Sequence, residues 1–254
     1  MKSMEKEKVY GTPRLMPFPI GAHCAGCTHG LVERVVAEVI EEMGIEDNFI
    51  GIGGVGCGIG IFFIMDVGGL GAPHGPAPAL ATGIKHALFE RPVVVTCQGD
   101  GDCAAIGIGY LVSAAARAEK ITTSMVNNAN YGTTGGQLAP TTILGQVTST
   151  TPDGRDAERF GYPLHVPELL ATIKGVAYSA RSALNNPTNY TRTKRYIKTA
   201  TQKQIDSVGY GFVEILGVCP VDWHMTPLEC LEFLEEKTMA EYPLGEFRNV
   251  DRIE

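Results

Sequence analysis

Two strand-like segments of the sequence end in short polar motifs that suit one edge of a parallel β-sheet. Val93–Gln98 is rich in β-branched residues, and Gly99-Asp100-Gly101-Asp102 follows it directly. A second strand-like run, Ile121–Val126, is followed by Asn127-Asn128. β-Branched runs bounded by glycine and asparagine predict strands. Because neighbouring parallel strands end at the same edge of a sheet, we expect the carboxylate and the carboxamide to lie in one crevice.

The order of the predicted elements indicates an α/β fold built on a doubly wound, mostly parallel sheet. Apolar residues at helical spacing predict a helix from His29 to Met43, ended by Gly44. Strands that alternate with helices form right-handed βαβ units, which build a parallel sheet. Residues 130–165 are polar and too long for an ordinary connection, so we expect them to be functional. The other predicted elements are strands near Phe49–Ile52, 176–179 and 212–218, and helices near 76–89, 104–118, after Pro167, near 192–207 and at 226–237.

The composition favours a globular protein and excludes several functional classes. The chain has 254 residues, 44% of them hydrophobic and 19% charged, so it is long enough and apolar enough to bury a core. A net charge of −7 argues against nucleic acid as the main partner. Met1–Leu15 is too polar for a secretory signal, and Ile59–Met65 is too short to cross a bilayer. We therefore expect a cytoplasmic protein without a membrane contact.

The two polar motifs together suit a diphosphate that is bound through a divalent metal ion. Asp100 and Asn128 offer a carboxylate and an amide oxygen, which are hard ligands that Mg²⁺ accepts alongside phosphate oxygens and water. The glycines of the first motif let phosphates approach the backbone. A helix predicted to start near Ala104 adds backbone N–H groups and the positive end of its dipole. Each motif alone is typical of an ordinary turn or loop, but the pair indicates a diphosphate site.

Four of the seven cysteines form a second candidate site. Cys24 and Cys27 make a C-x-x-C pair ahead of the first helix, Cys57 lies in a glycine-rich segment, and Cys219 follows the last predicted strand. Four thiolates can hold a [4Fe–4S] cluster or a tetrahedral Zn²⁺. The C-x-x-C alone is also compatible with a redox pair of thiols. The cysteine spacing by itself leaves these alternatives open.

The spacing of the two polar motifs resembles the thiamine diphosphate motif, in which Gly-Asp-Gly is followed by Asn-Asn after a strand–helix–strand interval. Together with the cysteines, nearly the whole chain, from Phe18 to Gly245, resembles the thiamine-binding β subunit of 2-oxoacid:ferredoxin oxidoreductases. The landmarks are His23-Cys24-Ala25-Gly26-Cys27-Thr28-His29-Gly30, Val55-Gly56-Cys57, His74-Gly75, Gly99-Asp100-Gly101-Asp102, Asn127-Asn128-Ala129-Asn130-Tyr131-Gly132-Thr133-Thr134-Gly135-Gly136-Gln137 and Cys219-Pro220.

This resemblance implies a set of cofactors and the residues that hold them. It implies that Mg²⁺ is held by Asp100, Asn128 and the backbone carbonyl of Asn130. It also implies a thiamine diphosphate-binding domain over 21–245, between an N-terminal arm at 1–20 and a C-terminal tail at 246–254. The implied [4Fe–4S] ligands are Cys24, Cys27, Cys57 and Cys219. The implied thiamine diphosphate contacts are Val55, Gly56, Cys57, Gly58, His74, Gly99, Asp100, Gly101, Asp102, Asn128, Asn130, Gly132 and Thr133.

His74 is the candidate catalytic residue of the chain. It follows a proline in a glycine-rich segment, and the resemblance implies that it donates a hydrogen bond or shuttles a proton at the cofactor. His29, beside the C-x-x-C, is expected to be a structural part of the cysteine loop. Thiamine enzymes also need a glutamate that activates the aminopyrimidine ring, and the resemblance implies that the partner α subunit supplies it. Glu90 and Glu119 of this chain are expected to be solvated residues at helix ends.

Three residues depart from the pattern of the family that the chain resembles. Pro76 stands where the family usually has arginine after His-Gly, and Thr133 stands where methionine is common. Tyr110 occupies a position where histidine or glutamate is common. Thr133 lies at the expected substrate end of the site, so this change bears on the identity of the oxoacid.

The leading hypothesis is a subunit that oxidatively decarboxylates a 2-oxoacid to its acyl-CoA and passes electrons through the cluster to ferredoxin. The short chain and the form of its cysteine motif favour 2-oxoglutarate or a branched-chain 2-oxoacid. The implied partners are an α subunit, further γ and δ subunits, ferredoxin and coenzyme A. One alternative is a non-oxidative thiamine decarboxylase or synthase subunit whose cysteines hold zinc or nothing. A second alternative is an iron–sulfur electron-carrying subunit whose diphosphate site is vestigial.

Overall fold

The computed structural model describes residues 11–17, 23–89 and 91–254. Its centre is a seven-stranded sheet in the order β2-β1-β3-β4-β6-β5-β7, in which only the β5–β7 pairing is antiparallel. The strands are β1 (Phe49–Gly53), β2 (Gly68–Gly71), β3 (Val93–Gly99), β4 (Thr122–Asn127), β5 (Val176–Ala183), β6 (Tyr210–Leu216) and β7 (Gly245–Asn249). The predicted doubly wound, mostly parallel α/β sheet is confirmed.

Helices cover both faces of this sheet. The α-helices are α1 (His29–Met43), α2 (Ala77–Ala87), α3 (Ile108–Ala116), α4 (Ala157–Phe160), α5 (Val166–Ala171), α6 (Pro187–Ile205), α7 (Pro220–Trp223), α8 (Pro227–Phe233) and α9 (Met239–Glu241). The longest two, α1 and α6, pack together on one face, and α2, α3 and α5 lie on the other. The predicted α1 is confirmed at both ends, and Gly44 ends it in the left-handed conformation.

Strand β3 shows why two separate apolar cores form. Val93, Val95 and Cys97 belong to the core beneath α1 and α6, whereas Val94 belongs to the core beneath α2 and α3. Successive side chains of a strand point to opposite faces, so a continuously apolar strand serves both cores. This burial on two faces is expected of a central strand in a parallel sheet.

The strand order reverses between β1 and β3, and this reversal positions the functional residues. From β1 the chain crosses to β2 on one side, and it then returns to β3 on the other side of β1. The loops that leave the carboxyl ends of β1 and β3 therefore diverge and open a crevice, which is where ligands bind in open parallel sheets.

Several element boundaries differ from the sequence predictions. Helix α6 begins at Pro187, five residues earlier than predicted, because the side chain of Asn186 caps it and proline fits its first turn. The predicted helix near Ala104 begins earlier, directly after Asp100, as a π-helical turn over Gly101–Ile106 that leads into α3. π-Turns of this kind are frequent at functional sites.

The two ends of the chain also differ from prediction. Of the segment predicted to be an arm, residues 1–10 and 18–20 lie outside the described residues, but Leu15 is buried in the core beside α1. The predicted tail at 246–254 contains most of β7, so its boundary cuts through a strand of the sheet. β7 was missed because it is a half-exposed, polar edge strand. Among the described residues, no helix is long and apolar enough to cross a membrane.

We expect deletion of residues 246–254 to lower the melting temperature by about 10 °C. The deletion should reduce the free energy of unfolding by a few kcal/mol, and each kcal/mol lowers the melting temperature of a chain of this size by about 2–4 °C. The deletion removes the Arg248 hydrogen bond to the carbonyl of Val176 and the Phe247 ring that lies 5.1 Å from the Arg181 guanidinium. It also exposes the edge of β5. Calorimetry of the purified protein measures the effect, with exposed Arg252→Ala as the control. An unchanged melting temperature contradicts a structural role for β7.

Candidate active site

A pocket lies at the carboxyl ends of four neighbouring strands, β2, β1, β3 and β4, around the point where the strand order reverses. Its floor comes from the loops that follow these strands. The lining residues are His29, Val55, Gly56, Cys57, His74, Gly99, Gly101, Asp102, Asn128, Asn130, Tyr131, Gly132, Thr133 and Thr134. Of the predicted thiamine diphosphate contacts, only Gly58 and Asp100 are absent from this lining, and Asp100 lies just behind it. The pocket encloses about 100 Å³.

Three oxygen atoms converge behind this pocket in the way that a divalent cation requires. With its amide oxygen turned inward, Asn128 places that atom 3.1 Å from Oδ1 of Asp100 and 3.0 Å from the backbone carbonyl of Asn130. With the amide reversed, the nitrogen donates to both atoms instead. Adjacent ligands of an octahedral Mg²⁺, each about 2.0–2.1 Å from the ion, stand about 3 Å apart. The three predicted ligands therefore fit Mg²⁺.

Asp100 is a buried carboxylate that lacks a cationic partner among the described residues. Its oxygens accept hydrogen bonds from the Gly101 backbone and from the hydroxyl of Thr141. Burial raises its pKa to about 7. A cation beside this group offsets the cost of burying its charge, and this cost is the physical reason why such a carboxylate belongs in a metal site.

His74 forms a histidine–carboxylate pair with Asp102. Oδ1 of Asp102 accepts from Nδ1 of His74 and, at 2.7 Å, from the backbone of Gly75. Oδ2 of the same carboxylate accepts from the amide of Gln98. A Cβ on Gly54 would lie only 2.2 Å from Oδ2 of Asp102, so this glycine is required for the carboxylate to reach the histidine. With Nδ1–H donated to Asp102, Nε2 of His74 is left as a base.

A fully buried ion pair supports the turn that carries Asn128 and Asn130. The amide nitrogen of Asn127 donates to Glu214 at 2.7 Å, and its oxygen accepts from the backbone of Ala129 at 3.0 Å. Glu214 in turn accepts from Arg181, and neither side chain is exposed. Ala129 is held at a φ of 57°, a conformation that a residue other than glycine adopts rarely. The first asparagine of the motif is thus a positioning residue.

The four predicted cluster ligands line a second cavity, of about 400 Å³, next to the first. Cys24 and Cys27 border it from the loop before α1, Cys57 from the loop after β1 and Cys219 from the end of β6. The structure therefore brings together all four cysteines from distant parts of the sequence. No disulfide forms among the seven cysteines.

Burial affects the thiols that border the cysteine cavity. It raises the pKa of Cys27 to about 11 and that of Cys219 to about 12. A metal centre beside these thiols would favour the thiolate form, because a coordinating thiol is deprotonated. Four thiols are the donor set of both a [4Fe–4S] cluster and a tetrahedral Zn²⁺, so the cavity fits either group.

The two cavities share a wall. Gly56, Cys57, Gly132 and Thr133 line both of them. The Sγ of Cys57 lies 3.2 Å from the hydroxyl of Thr133. A group held by the cysteines is therefore adjacent to a ligand of the pocket.

Two side chains that the sequence did not single out as site residues connect the same two cavities. Asp222 accepts from the amide of Asn130 at 3.1 Å and from Sγ of Cys219 at 3.2 Å. His29, expected to be structural, lines the pocket while its Nδ1 lies 3.4 Å from Sγ of Cys27. Each lies two or three residues beyond a cysteine of the predicted set, and this spacing is the one signal in the sequence that could have indicated them.

A glutamate that could activate an aminopyrimidine ring does not line the pocket among the described residues. Glu90 lies outside the described residues. Glu119 was expected to be solvated, and that prediction is wrong: its side chain is 5% exposed and paired with Arg117 and His86. This cluster lies at the amino ends of the strands, away from the pocket.

Known proteins are similar to this chain in sequence and in fold. Residues 63–214 match the family described as thiamine pyrophosphate enzyme, C-terminal TPP binding domain. Among solved structures, 2-oxoglutarate:ferredoxin oxidoreductase from Magnetococcus marinus, with 2-oxoglutarate, coenzyme A and succinyl-CoA bound, superposes with a TM-score of 0.79. It is 25% identical, and the match covers 98% of this chain and 87% of that chain.

Two groups of sequence relatives identify the family more closely. Ketoisovalerate oxidoreductase subunit VorA of Methanothermobacter marburgensis is 42% identical over 232 residues, which cover 91% of this chain and 48% of the relative. The 2-oxoglutarate synthase subunit KorB of Archaeoglobus fulgidus is 36% identical over 213 residues, which cover 84% of this chain and 75% of the relative. The chain belongs to the thiamine diphosphate-binding subunits of 2-oxoacid:ferredoxin oxidoreductases. It spans about half the length of the VorA relatives.

We expect Asp100→Asn to weaken Mg²⁺-dependent binding of thiamine diphosphate at least about 100-fold, because it removes the only charged member of the oxygen triad. Calorimetric titration of the assembled complex measures binding without turnover. Asp153→Asn, on an exposed loop, is the matched control. Equal affinity in the wild type and Asp100→Asn would show that the metal lies elsewhere.

Proposed function

We propose that the chain is the thiamine diphosphate-binding, cluster-bearing subunit of an enzyme that oxidatively decarboxylates a 2-oxoacid to its acyl-CoA. The observation that carries this proposal is the shared wall between the pocket and the four-cysteine cavity. A non-oxidative thiamine enzyme has no use for an electron acceptor at this place. An oxidative enzyme needs one in contact with its cofactor.

The residues of the pocket suit the diphosphate end of thiamine diphosphate. Asp100, Asn128 and the carbonyl of Asn130 would hold the Mg²⁺ that bridges to the phosphates. Bound here, the cofactor supplies an electron sink that allows a 2-oxoacid to lose CO₂. A Cβ on Gly101 would lie 2.4 Å from the ring of Tyr131, so this glycine keeps Tyr131 in the wall of the pocket.

His74 is the proton-transfer residue of the proposed site. Asp102 fixes its ring by accepting from Nδ1, so that Nε2 exchanges protons with a group bound in the pocket. The ring also makes an edge-on contact with Tyr131, with centroids 6.2 Å apart. The histidine is therefore oriented from two directions before any ligand binds.

The named relatives and one departure from the family pattern favour a branched-chain 2-oxoacid over 2-oxoglutarate. The second carboxylate of 2-oxoglutarate needs a cation for recognition, whereas an aliphatic side chain does not. Pro76 stands where the family usually has arginine. The VorA relatives, named for ketoisovalerate, support the same choice.

A partner α subunit completes the proposed site. The enclosed volume of about 100 Å³ is smaller than the roughly 300–1,000 Å³ typical of small-molecule sites, so the remainder of the cofactor extends beyond this chain. Ile106, which lies against Gly75, is 52% exposed, and Tyr110, one helical turn further along the chain, is 46% exposed. We propose that the α subunit covers this face and supplies the activating glutamate. The further γ and δ subunits and ferredoxin complete the electron path from the cluster.

We expect the complex, purified without oxygen, to contain about four iron and four labile sulfide per copy of this chain beyond those of its partners. A branched-chain 2-oxoacid with coenzyme A should bleach the visible absorbance of the cluster. Cys57→Ala should lose iron and activity, whereas Cys230→Ala, on α8 away from the cavity, should keep both. Zinc in place of iron would favour the non-oxidative enzyme. A cluster without thiamine binding would favour an electron-carrying subunit.

Replacing His74 with asparagine should lower kcat about 100- to 10,000-fold, the range typical of general acid–base residues. Because the residue does not hold the metal, affinity for thiamine diphosphate should change far less. Steady-state kinetics of the complex with ferredoxin and calorimetric titration separate the two effects. His86→Asn, at the opposite end of the sheet, is the control. A kcat within twofold of the wild type would remove His74 from the chemistry.

A further inference from the structure

His29 occupies an unusual position between the two cavities. It is the first residue of α1, its side chain is buried, and it lines the cofactor pocket. Its Nδ1 lies 3.4 Å from Sγ of Cys27. Its other ring nitrogen, Nε2, is buried without a hydrogen-bond partner among the described residues. A histidine with a purely structural role would have both nitrogens satisfied, since an unpaired buried polar atom is destabilising.

The hydrogen-bonding rules of imidazole connect the two nitrogens. A neutral imidazole carries one N–H donor and one acceptor nitrogen. A cysteine that ligates iron is a thiolate and has no proton to donate. Nδ1 must then be the donor to Cys27, and Nε2 becomes an acceptor. Because phosphate oxygens only accept hydrogen bonds, its donor would be a water molecule that the Mg²⁺ of the cofactor keeps.

We propose that His29 is a positioning residue through which occupation of the cofactor pocket raises the reduction potential of the iron–sulfur cluster. This inference rests on the proposed function, because it requires the cluster. A donor that bonds to Nε2 polarises the ring and strengthens the Nδ1–H···Sγ bond, since successive hydrogen bonds reinforce one another. Hydrogen bonds to cluster sulfurs are among the factors that set the reduction potential. The bound cofactor would thereby make the cluster easier to reduce.

The charges of the bound diphosphate and Mg²⁺ also act on the cluster, but they act alike in every variant. The contribution of His29 is therefore measured by comparing variants: it is the difference between them in how far the cofactor shifts the reduction potential of the cluster. His29→Asn keeps an amide N–H close to the position of Nδ1 and removes Nε2. His29→Phe removes both nitrogens. His86→Asn is the control, because His86 lies at the opposite end of the sheet, where it pairs with Glu119.

The experiment is a redox titration of the complex, followed by visible absorbance, with the thiamine diphosphate site first empty and then loaded with Mg²⁺. Loading should raise the ratio of reduced to oxidised cluster at a fixed potential in both proteins. We expect this increase to be at least about tenfold larger in the wild type than in His29→Asn. A tenfold difference in the ratio corresponds to about 59 mV in the reduction potential of a one-electron couple. His29→Phe should show the small response of His29→Asn and a lower potential in the empty state. His86→Asn should respond like the wild type.

Equal responses in the wild type and His29→Asn would overturn the inference. Iron and sulfide analysis precedes each titration, so a His29→Phe protein without a cluster is set aside and His29→Asn decides. The failure of the inference is distinct from that of the proposed function. A wild-type protein without a cluster contradicts the proposed function, whereas a cluster that ignores His29 contradicts the inference alone.

Discussion

The reversal of strand order between β1 and β3 is the constraint on which both cavities depend. It sends the loops after these strands in opposite directions. The residues that line the pocket and the cysteine cavity lie in or beside the resulting crevice. The loop after β1 contributes Cys57 to both cavities, and the loop after β3 contributes Asp102 to the pocket. A sheet with consecutive strand order would close this gap by packing the two loops side by side.

Around this crevice, the fold holds charged groups that burial would otherwise make unfavourable. Arg181 is fully buried, pairs with Glu214 and Glu168, and lies over the rings of Tyr242 and Phe247. A buried pair of this kind contributes little net stability, but removing one partner is costly. Here the pair anchors Asn127 and thus the turn that carries Asn128 and Asn130. Its value to the protein therefore lies in geometry more than in folding free energy.

Much of the fold and part of the site could be predicted from the sequence, because local chemistry determines them. The apolar period defines α1, and strand β3 followed by Asp100 places a carboxylate at the edge of the sheet. Strand β2 could not be predicted, since Gly68-Gly69-Leu70-Gly71 lacks the β-branched residues that mark strands.

The connecting residues of the site were missed for a different reason. His29 and Asp222 acquire their roles only when loops distant in the sequence meet. The spacing of apolar residues along the sequence does not predict such contacts. The oxygens of Asp100, Asn128 and Asn130 were predicted to lie together, but the hydroxyl of Thr141 that supports Asp100 comes from a loop whose path the sequence leaves open. Sequence patterns thus identified the groups that carry out the chemistry better than the groups that position them.

The distribution of the four cysteines along the chain also determines the order of maturation. In a zinc finger, the ligands are close in sequence and metal binding drives folding. Here Cys24 precedes α1 and Cys219 follows β6, so the cavity exists only after the sheet has been assembled from nearly the whole chain. Insertion of the proposed cluster would therefore follow folding. A ribosome-bound fragment that lacks its last strands has no complete cysteine cavity in which that cluster could be held.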